Sequence, residues 1–300
     1  SILLTASSID FNAVGAASAG DFTAVIAGMI MAMTGFGLGW VNGGADYSRY
    51  LPRNSRSRSI FGWTTFGASI APIVLISYGL LLALSVPDIG KNIGSDPIGS
   101  LIAALPTSAQ WFVLPYLIVV LLGLIGGAIL DIYSSGLNLL TLGLKLKRYQ
   151  AASIDGVLMA LGTAYVVFVS DSFFWPFQAG LYLLGVPMAA WAGIFIADLL
   201  QRKKNYDDAS LYKSSGRYGS VNLVSVGVMV VAVVVGFGFI ASPDASLTWT
   251  TWEGYLYAAL GITGDNSAWY WSNIGVLLAL IIGFVGKLAL DGANVRKQEA

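Results

Sequence analysis

The sequence contains no cysteine and no histidine. Without cysteine there are no disulfides and no thiolate chemistry, and the redox compartment leaves no mark. Without histidine the chain lacks the usual base of a nucleophilic triad, the commonest metal ligand and the usual neutral-pH proton shuttle. No metal site and no cofactor are therefore expected. Charge is also scarce. Only 11% of the 300 residues are charged, against about 25% in a soluble globular domain. The net charge is zero, which offers nothing to a nucleic acid. Enzymes that work inside membranes are a poor fit. An aspartyl protease needs two facing acids, and Asp131 is the one acid deep in a clear apolar stretch.

What is abundant is apolar surface. Hydrophobic residues make up 56% of the chain, and the mean hydropathy is +0.73. A domain of this size cannot hide so much apolar area from water, so lipid must be its solvent. A spanning helix needs about 20 mostly apolar residues. Seven stretches qualify: Phe22–Ala45, Ser59–Pro87, Ala109–Leu144, Tyr149–Ser170, Ser172–Ala197, Tyr218–Pro243 and Asn266–Gly286. The expectation is an all-α integral membrane protein of seven transmembrane helices, forming a single domain over 1–300.

Lys and Arg set the orientation. Fifteen of the sixteen basic residues fall after the first, third, fifth and seventh stretches, and Lys91 alone lies on the other side. Basic residues stay on the cytoplasmic face, which puts residue 1 outside and the C-terminus in the cytoplasm. Trp249, Trp252, Tyr255, Tyr257, Trp269, Tyr270 and Trp271 around the last outer loop suit an interfacial aromatic belt. The apolar piece between Pro97 and Pro106 is too short to span; it reads as a half-helix or an interfacial loop. The chain opens at Ser1 on SILLTASSIDF, which has no basic region or cleavage pattern and is not a signal peptide. It reads as the tail of an earlier span. The loop Tyr206–Ser220 reads as a solvated linker, and Asn138, Thr141, Gln178 and Asn273 as polar glue near helix ends.

Two features exceed simple packing. Thr34-Gly35-Phe36-Gly37-Leu38-Gly39-Trp40, followed by Asn42-Gly43-Gly44, puts five glycines in ten residues. Each weakens a helix by roughly 1 kcal/mol relative to alanine. Broken helices at membrane depth are tolerated where the irregular backbone lines a cavity or is buried in protein, and in transporters such breaks bind solute or ion. Phe36 and Trp40 beside free backbone at Gly37 and Gly39 suit a flat, polar heteroaromatic solute. A glycine-packed continuous helix is the alternative. The second feature is Asp131. A charge at mid-bilayer costs at least about 2.5–3.5 kcal/mol, so the acid needs a partner, a role or a proton. It can carry a proton, or accept N–H bonds from the edge of a nucleobase. A structural hydrogen bond to a neighbouring helix is the alternative.

Ala45-Asp46-Tyr47-Ser48-Arg49-Tyr50-Leu51-Pro52 and Leu130-Asp131-Ile132-Tyr133-Ser134-Ser135-Gly136-Leu137 resemble motifs of the purine–cytosine permeases, in the nucleobase:cation symporter-1 family. Leu144-Lys145-Leu146-Lys147-Arg148, Asp155-Gly156, Pro187-Met188-Ala189-Ala190-Trp191 and Gly216-Arg217-Tyr218-Gly219 look like further landmarks of its bacterial cytosine-permease branch. The resemblance implies the second part of a five-plus-five inverted-repeat transporter fold plus two extra helices, with helices six to twelve present and one to five absent. It implies a nucleobase permease, for cytosine or a purine, in the plasma membrane. A hydantoin, allantoin, thiamine or amino-acid carrier on the same fold is the runner-up. Trp40 matches the pocket tryptophan of the sixth helix. Asp131 stands where relatives commonly have asparagine. Leu122, Gly123, Leu124, Ile125 and Gly126 offer no hydroxyl where sodium-coupled relatives have small and hydroxylated residues. The implied coupling ion is the proton, carried by Asp131.

Overall fold

Backbone amides and carbonyls find no partners in hydrocarbon, so an apolar chain pairs them within helices. The computed structural model is helical, and no strand occurs among the described residues. It describes residues 2–41, 43–52, 54–92, 96–143, 145–170, 173–242 and 247–300. Ser1, Asn42, Leu144, Ser172 and Pro243, all named above, lie outside them. The long helices are α1 (Phe22–Val41), α2 (Ser57–Ser85), α3 (Val113–Thr141), α4 (Arg148–Phe168), α5 (Phe174–Gln201), α6 (Leu223–Gly238), α7 (Gly275–Leu290) and α8 (Gly292–Glu299).

Each of the seven apolar stretches holds a helix, but they differ in reach. Among the described residues, α1 to α5 are long and apolar enough to cross a membrane, α3 with the 3-10 turn ahead of it. Helix α6 has 16 residues, or about 24 Å at 1.5 Å per residue, short of a hydrocarbon core of about 30 Å. Helix α7 reaches spanning length only together with α8, from which it is bent by 59°. The apolar side chains of α3 stand exposed around its circumference, with Val119, Leu122 and Leu124 all above 60%. A helix apolar on every side needs an apolar surround.

The chain divides into two compact units, residues 1–19 with 45–174, and residues 20–44 with 175–300. In the first, Leu82, Ile89 and Ala104 form a small core. The N-terminal segment is tied to it by polar contacts: Thr5 to the Tyr78 hydroxyl at 2.5 Å, Ser8 Oγ donating to the Ala104 carbonyl, and the Asp10 amide donating to Ser85 Oγ. The piece between Pro97 and Pro106 is a short helix, Pro97–Ala103, whose N-cap Asp96 accepts from the Gly99 amide.

The second unit has the larger core. Ile30 and Leu38 of α1 pack with Tyr182, Val186, Ala189 and Ala190 of α5, Ala232 of α6, and Val276 and Ala279 of α7. Glycine permits this closeness. A Cβ at Gly193 would lie 2.2 Å from the Leu280 carbonyl oxygen, and one at Gly275 would lie 1.9 Å from that of Gly236. No real Cβ comes so near, so these positions are fixed as glycine by helix approach. Asn273 bridges the same elements, accepting from the Ala241 amide at 2.8 Å. Gly193→Val should force α5 and α7 apart and lower stability by about 1–3 kcal/mol, read as a lower thermal midpoint in detergent. Gly162→Ala, which meets nothing within 4 Å, is the control.

Candidate functional site

In the second unit, the glycine-rich run of α1 does not break the helix. Residues Phe22–Ala32 are α-helical, Met33–Gly37 form one π-helical turn, and Leu38–Val41 resume the α-helix. The Leu38 amide donates to the Met33 carbonyl, five residues back. The expected interruption is therefore a widened turn that keeps its backbone paired. Thr34 contributes to it: its hydroxyl bonds the Ile30 and Met31 carbonyls at 2.9 and 3.0 Å, a back-bond that bends helices. Turns of this kind occur frequently at functional sites.

The turn sorts the side chains. Ile30, Thr34 and Leu38 are buried, with Thr34 close to Gly185 of α5. Phe36 and Trp40 stand on the other side, 53% and 46% exposed. A Cβ at Gly35, Gly37 or Gly39 would meet nothing within 4 Å. These glycines are not packing contacts; they leave the backbone of that face open to close approach.

Asp131 belongs to the first unit, on α3, where it is exposed. It makes no hydrogen bond or ion pair among the described residues. The motif around it is nevertheless tied to the motif at Asp46 by the neighbouring residues. Ser134 Oγ donates to Asp46 Oδ2 at 2.7 Å. One turn of chain further on, Arg49 Nη2 donates to the hydroxyls of Tyr50 at 2.9 Å and Tyr133 at 3.2 Å, and the two hydroxyls are 2.9 Å apart. The Arg148 guanidinium lies 5.8 Å from the centre of the Tyr133 ring. Hydrogen bonds from Tyr133 and Arg49 hold the Tyr50 hydroxyl below the ordinary tyrosine pKa. The two motifs thus form one polar joint between the start of α3's final turns, the entry to α4 and the segment after α1.

Sequence reasoning missed a second polar centre, in the second unit. Asp198, Lys287 and Asp291 are buried at 7, 3 and 0% exposure. Lys287 Nζ is 2.9 Å from Asp198 Oδ1, and pairs also with Asp291 Oδ2 and with Ser225 Oγ at 3.1 Å. Arg202 clasps Asp198 at 2.6 and 3.2 Å and reaches Gln298 of α8 at 2.6 Å. Asn222 and Asn294 donate to Asp291, each at 2.6 Å. Two cations and two carboxylates cancel, so the burial is electrically neutral. Lys287 is therefore no loop charge, although sequence counting placed it with the cytoplasmic ones. Nor is the Tyr206–Ser220 segment merely solvated. The Tyr206 hydroxyl donates to Asp198, the Asp207 amide donates to the Tyr218 hydroxyl, and the Arg202 guanidinium sits 4.4 and 5.4 Å from the Tyr206 and Tyr218 rings. A cavity of about 240 Å³ opens beside this cluster. The available signal was the pair of opposite charges at i,i+4 spacing, Asp198/Arg202 and Lys287/Asp291.

Helices this apolar and this exposed define a polytopic integral membrane protein. The profile of the family described as permease for cytosine/purines, uracil, thiamine, allantoin matches residues 3–259. The chain belongs to that family, which places it with transport proteins and not with enzymes. It is similar to a protein of Bacillus subtilis (strain 168) named purine-cytosine permease YxlA, 27% identical over 203 residues. The aligned region covers 65% of this chain and 42% of that relative. No solved structure matches.

Two measurements check the polar centres. Lys287→Met should cost about 3–5 kcal/mol of stability, because it leaves the buried Asp291 carboxylate with no cation and Asp198 with Arg202 alone; a thermal or denaturant midpoint in detergent reads it. Ser134→Ala should cost about 1 kcal/mol or more. In a cycle with Asp46→Asn the losses should be non-additive by at least about 0.5 kcal/mol, whereas strictly additive losses would show that the two motifs are not joined by this bond.

Proposed function

We propose that this chain is the nucleobase-binding portion of a secondary transporter that imports cytosine or a purine by cation symport, with the proton as the coupling ion. The observation that carries the reading is the family match over residues 3–259, most of the chain. The similarity to a protein named as a purine-cytosine permease favours a nucleobase over the other solutes in the family description. In this reading the chain supplies helices six to twelve of a five-plus-five inverted-repeat fold with two extra helices, and all seven crosses the bilayer. The short α6 and the bent α7–α8 pair then rely on tilt, local thinning or flanking residues to match the bilayer. The one-sided distribution of Lys and Arg supports residue 1 outside and a cytoplasmic C-terminus.

Phe36 and Trp40 are the stacking surface for the planar base, and the open backbone at Gly37 and Gly39 lets it come close. Two exposed rings four residues apart beside a π-turn support that role. Asp131 contacts the polar edge of the base and carries the proton. Its exposure and its lack of a hydrogen-bond partner among the described residues support this, since a structural acid would be tied to a neighbour. Substrate and proton together favour one conformer over the other and so shift the population between outward and inward states.

Uptake of radiolabelled cytosine by cells producing the full-length permease tests the reading. Uptake should collapse with a protonophore and be indifferent to sodium. Adenine should compete, while allantoin, hydantoin and thiamine should not; competition by one of those in place of nucleobases would transfer the assignment to it. Asp131→Asn should keep binding but lose accumulation against a gradient. Trp40→Ala should weaken binding by roughly 1–3 kcal/mol.

A further inference from the structure

Glu253 is the one acid in the second unit whose burial nothing described offsets. It lies outside the long apolar helices, between a 3-10 turn at Thr248–Thr250 and the short helix Tyr255–Ala259. Both carboxyl oxygens are shut off from solvent and have no hydrogen-bond partner among the described residues. Asp198 and Asp291, the other buried acids of this unit, each hold a cation and several donors. A carboxylate deprived of both water and donors is very costly, and the group relieves that cost by staying protonated.

The segment cannot readily swing the side chain out to water while it stays docked. The Glu253 amide donates to the Thr250 carbonyl at 3.0 Å, and the Gly254 amide donates to the Phe237 carbonyl at 2.9 Å. Gly254 holds φ at 74°, and a Cβ there would lie 2.8 Å from the Ile240 carbonyl oxygen. Trp252 packs edge-on against Phe237 at 4.8 Å, its indole N–H donating to the Trp249 carbonyl. The wholly buried Thr250 shares a 2.6 Å hydrogen bond with Ser242. The titratable groups on the neighbouring short helix are Tyr255 and Tyr257, whose hydroxyls donate to the Val234 and Trp269 carbonyls. No charged group acts on Glu253 among the described residues, and burial alone pushes its carboxyl up to about 7.

We propose that Glu253 is a proton-binding site, occupied while residues 247–260 are docked on the end of α6 and emptied when that segment lifts into water. The site is separate from Asp131 and does not rest on the transport reading. The direction of the linkage follows. An ordinary glutamate in the lifted segment ionises near 4.5, whereas the docked one holds its proton to about 7. Docking therefore takes up a proton between these values. The docked form is at its most stable below about 4.5, loses ground as pH rises, and reaches its floor above about 7.

Two readouts on the purified 300-residue chain in detergent test this. Infrared spectroscopy across a pH titration should show one neutral carboxyl signal that disappears with a midpoint near pH 7. That signal should be absent from Glu253→Gln and unchanged in Asp131→Asn. The glutamine is nearly isosteric with the protonated acid and should fold; the wild-type titration decides the matter even if it does not. Hydrogen exchange at the Gly254 amide, taken as a ratio to Glu253→Gln, should report opening that grows by up to about tenfold per pH unit between pH 5 and 7. Loss of every carboxyl signal in the ordinary carboxylate range would overturn the site. So would a signal with the midpoint near pH 7 that persists undiminished in Glu253→Gln. A pH-independent exchange ratio would overturn its coupling to docking.

Discussion

The demand that every backbone polar group find its partner within the chain governs this protein. In hydrocarbon an unpaired amide or carbonyl costs several kcal/mol, and the apolar composition leaves the long segments no other environment. The glycine-rich run of α1 shows how tightly the demand binds. Gly35, Gly37 and Gly39 loosen the helix, yet its backbone stays paired through one widened turn. The irregularity is expressed in which side chains face out, with Phe36 and Trp40 on one side and Thr34 and Leu38 on the other, and the helix itself stays whole.

Polar side chains obey the same economy by a different route. Asp198, Lys287, Asp291 and Arg202 sit at helix ends, where they neutralise one another and bind α5, α7, α8 and the Tyr206–Tyr218 segment into one joint. Such a network is weak evidence of net stability, because desolvation offsets most of the attraction. What it does impose is geometry: each partner fixes the position of the others, and removing one leaves an uncompensated charge. The joint of Asp46, Ser134, Arg49, Tyr50 and Tyr133 plays the corresponding part in the first unit, with more exposure and more hydroxyls. Glu253 and Asp131 stand apart from both networks. One has both carboxyl oxygens shut off from solvent without donors, and the other is exposed with no hydrogen bond or ion pair among the described residues.

The apolar packing of the second unit supplies what the charges cannot. Without a hydrophobic drive between helices in lipid, association rests on van der Waals contact and close approach. Gly193, Gly236 and Gly275 bring α5, α6 and α7 near enough for their backbones to touch. By contrast Gly35, Gly37 and Gly39 face open space. Glycine is abundant in both places for opposite reasons, and only the neighbours tell them apart.

Composition and spacing alone determined that this is a helical membrane protein, because 56% apolar residues and so few charges admit no aqueous fold. They also placed the five helices that are long and apolar enough to span among the described residues, and two short motifs identified the permease family. Local sequence could not determine how far each helix runs: α6 stops where the Phe239 amide turns back to the Gly236 and Phe237 carbonyls, and α7 stops at Asp291, where the chain bends into α8. Nor could it show that Ser134, and not Asp131, joins the two motifs, since that depends on which face of α3 meets the segment after α1. The burial of Lys287 and the isolation of Glu253 were equally illegible. Each is a property of what surrounds a side chain, and the surroundings come from residues tens of positions away that only tertiary structure brings near.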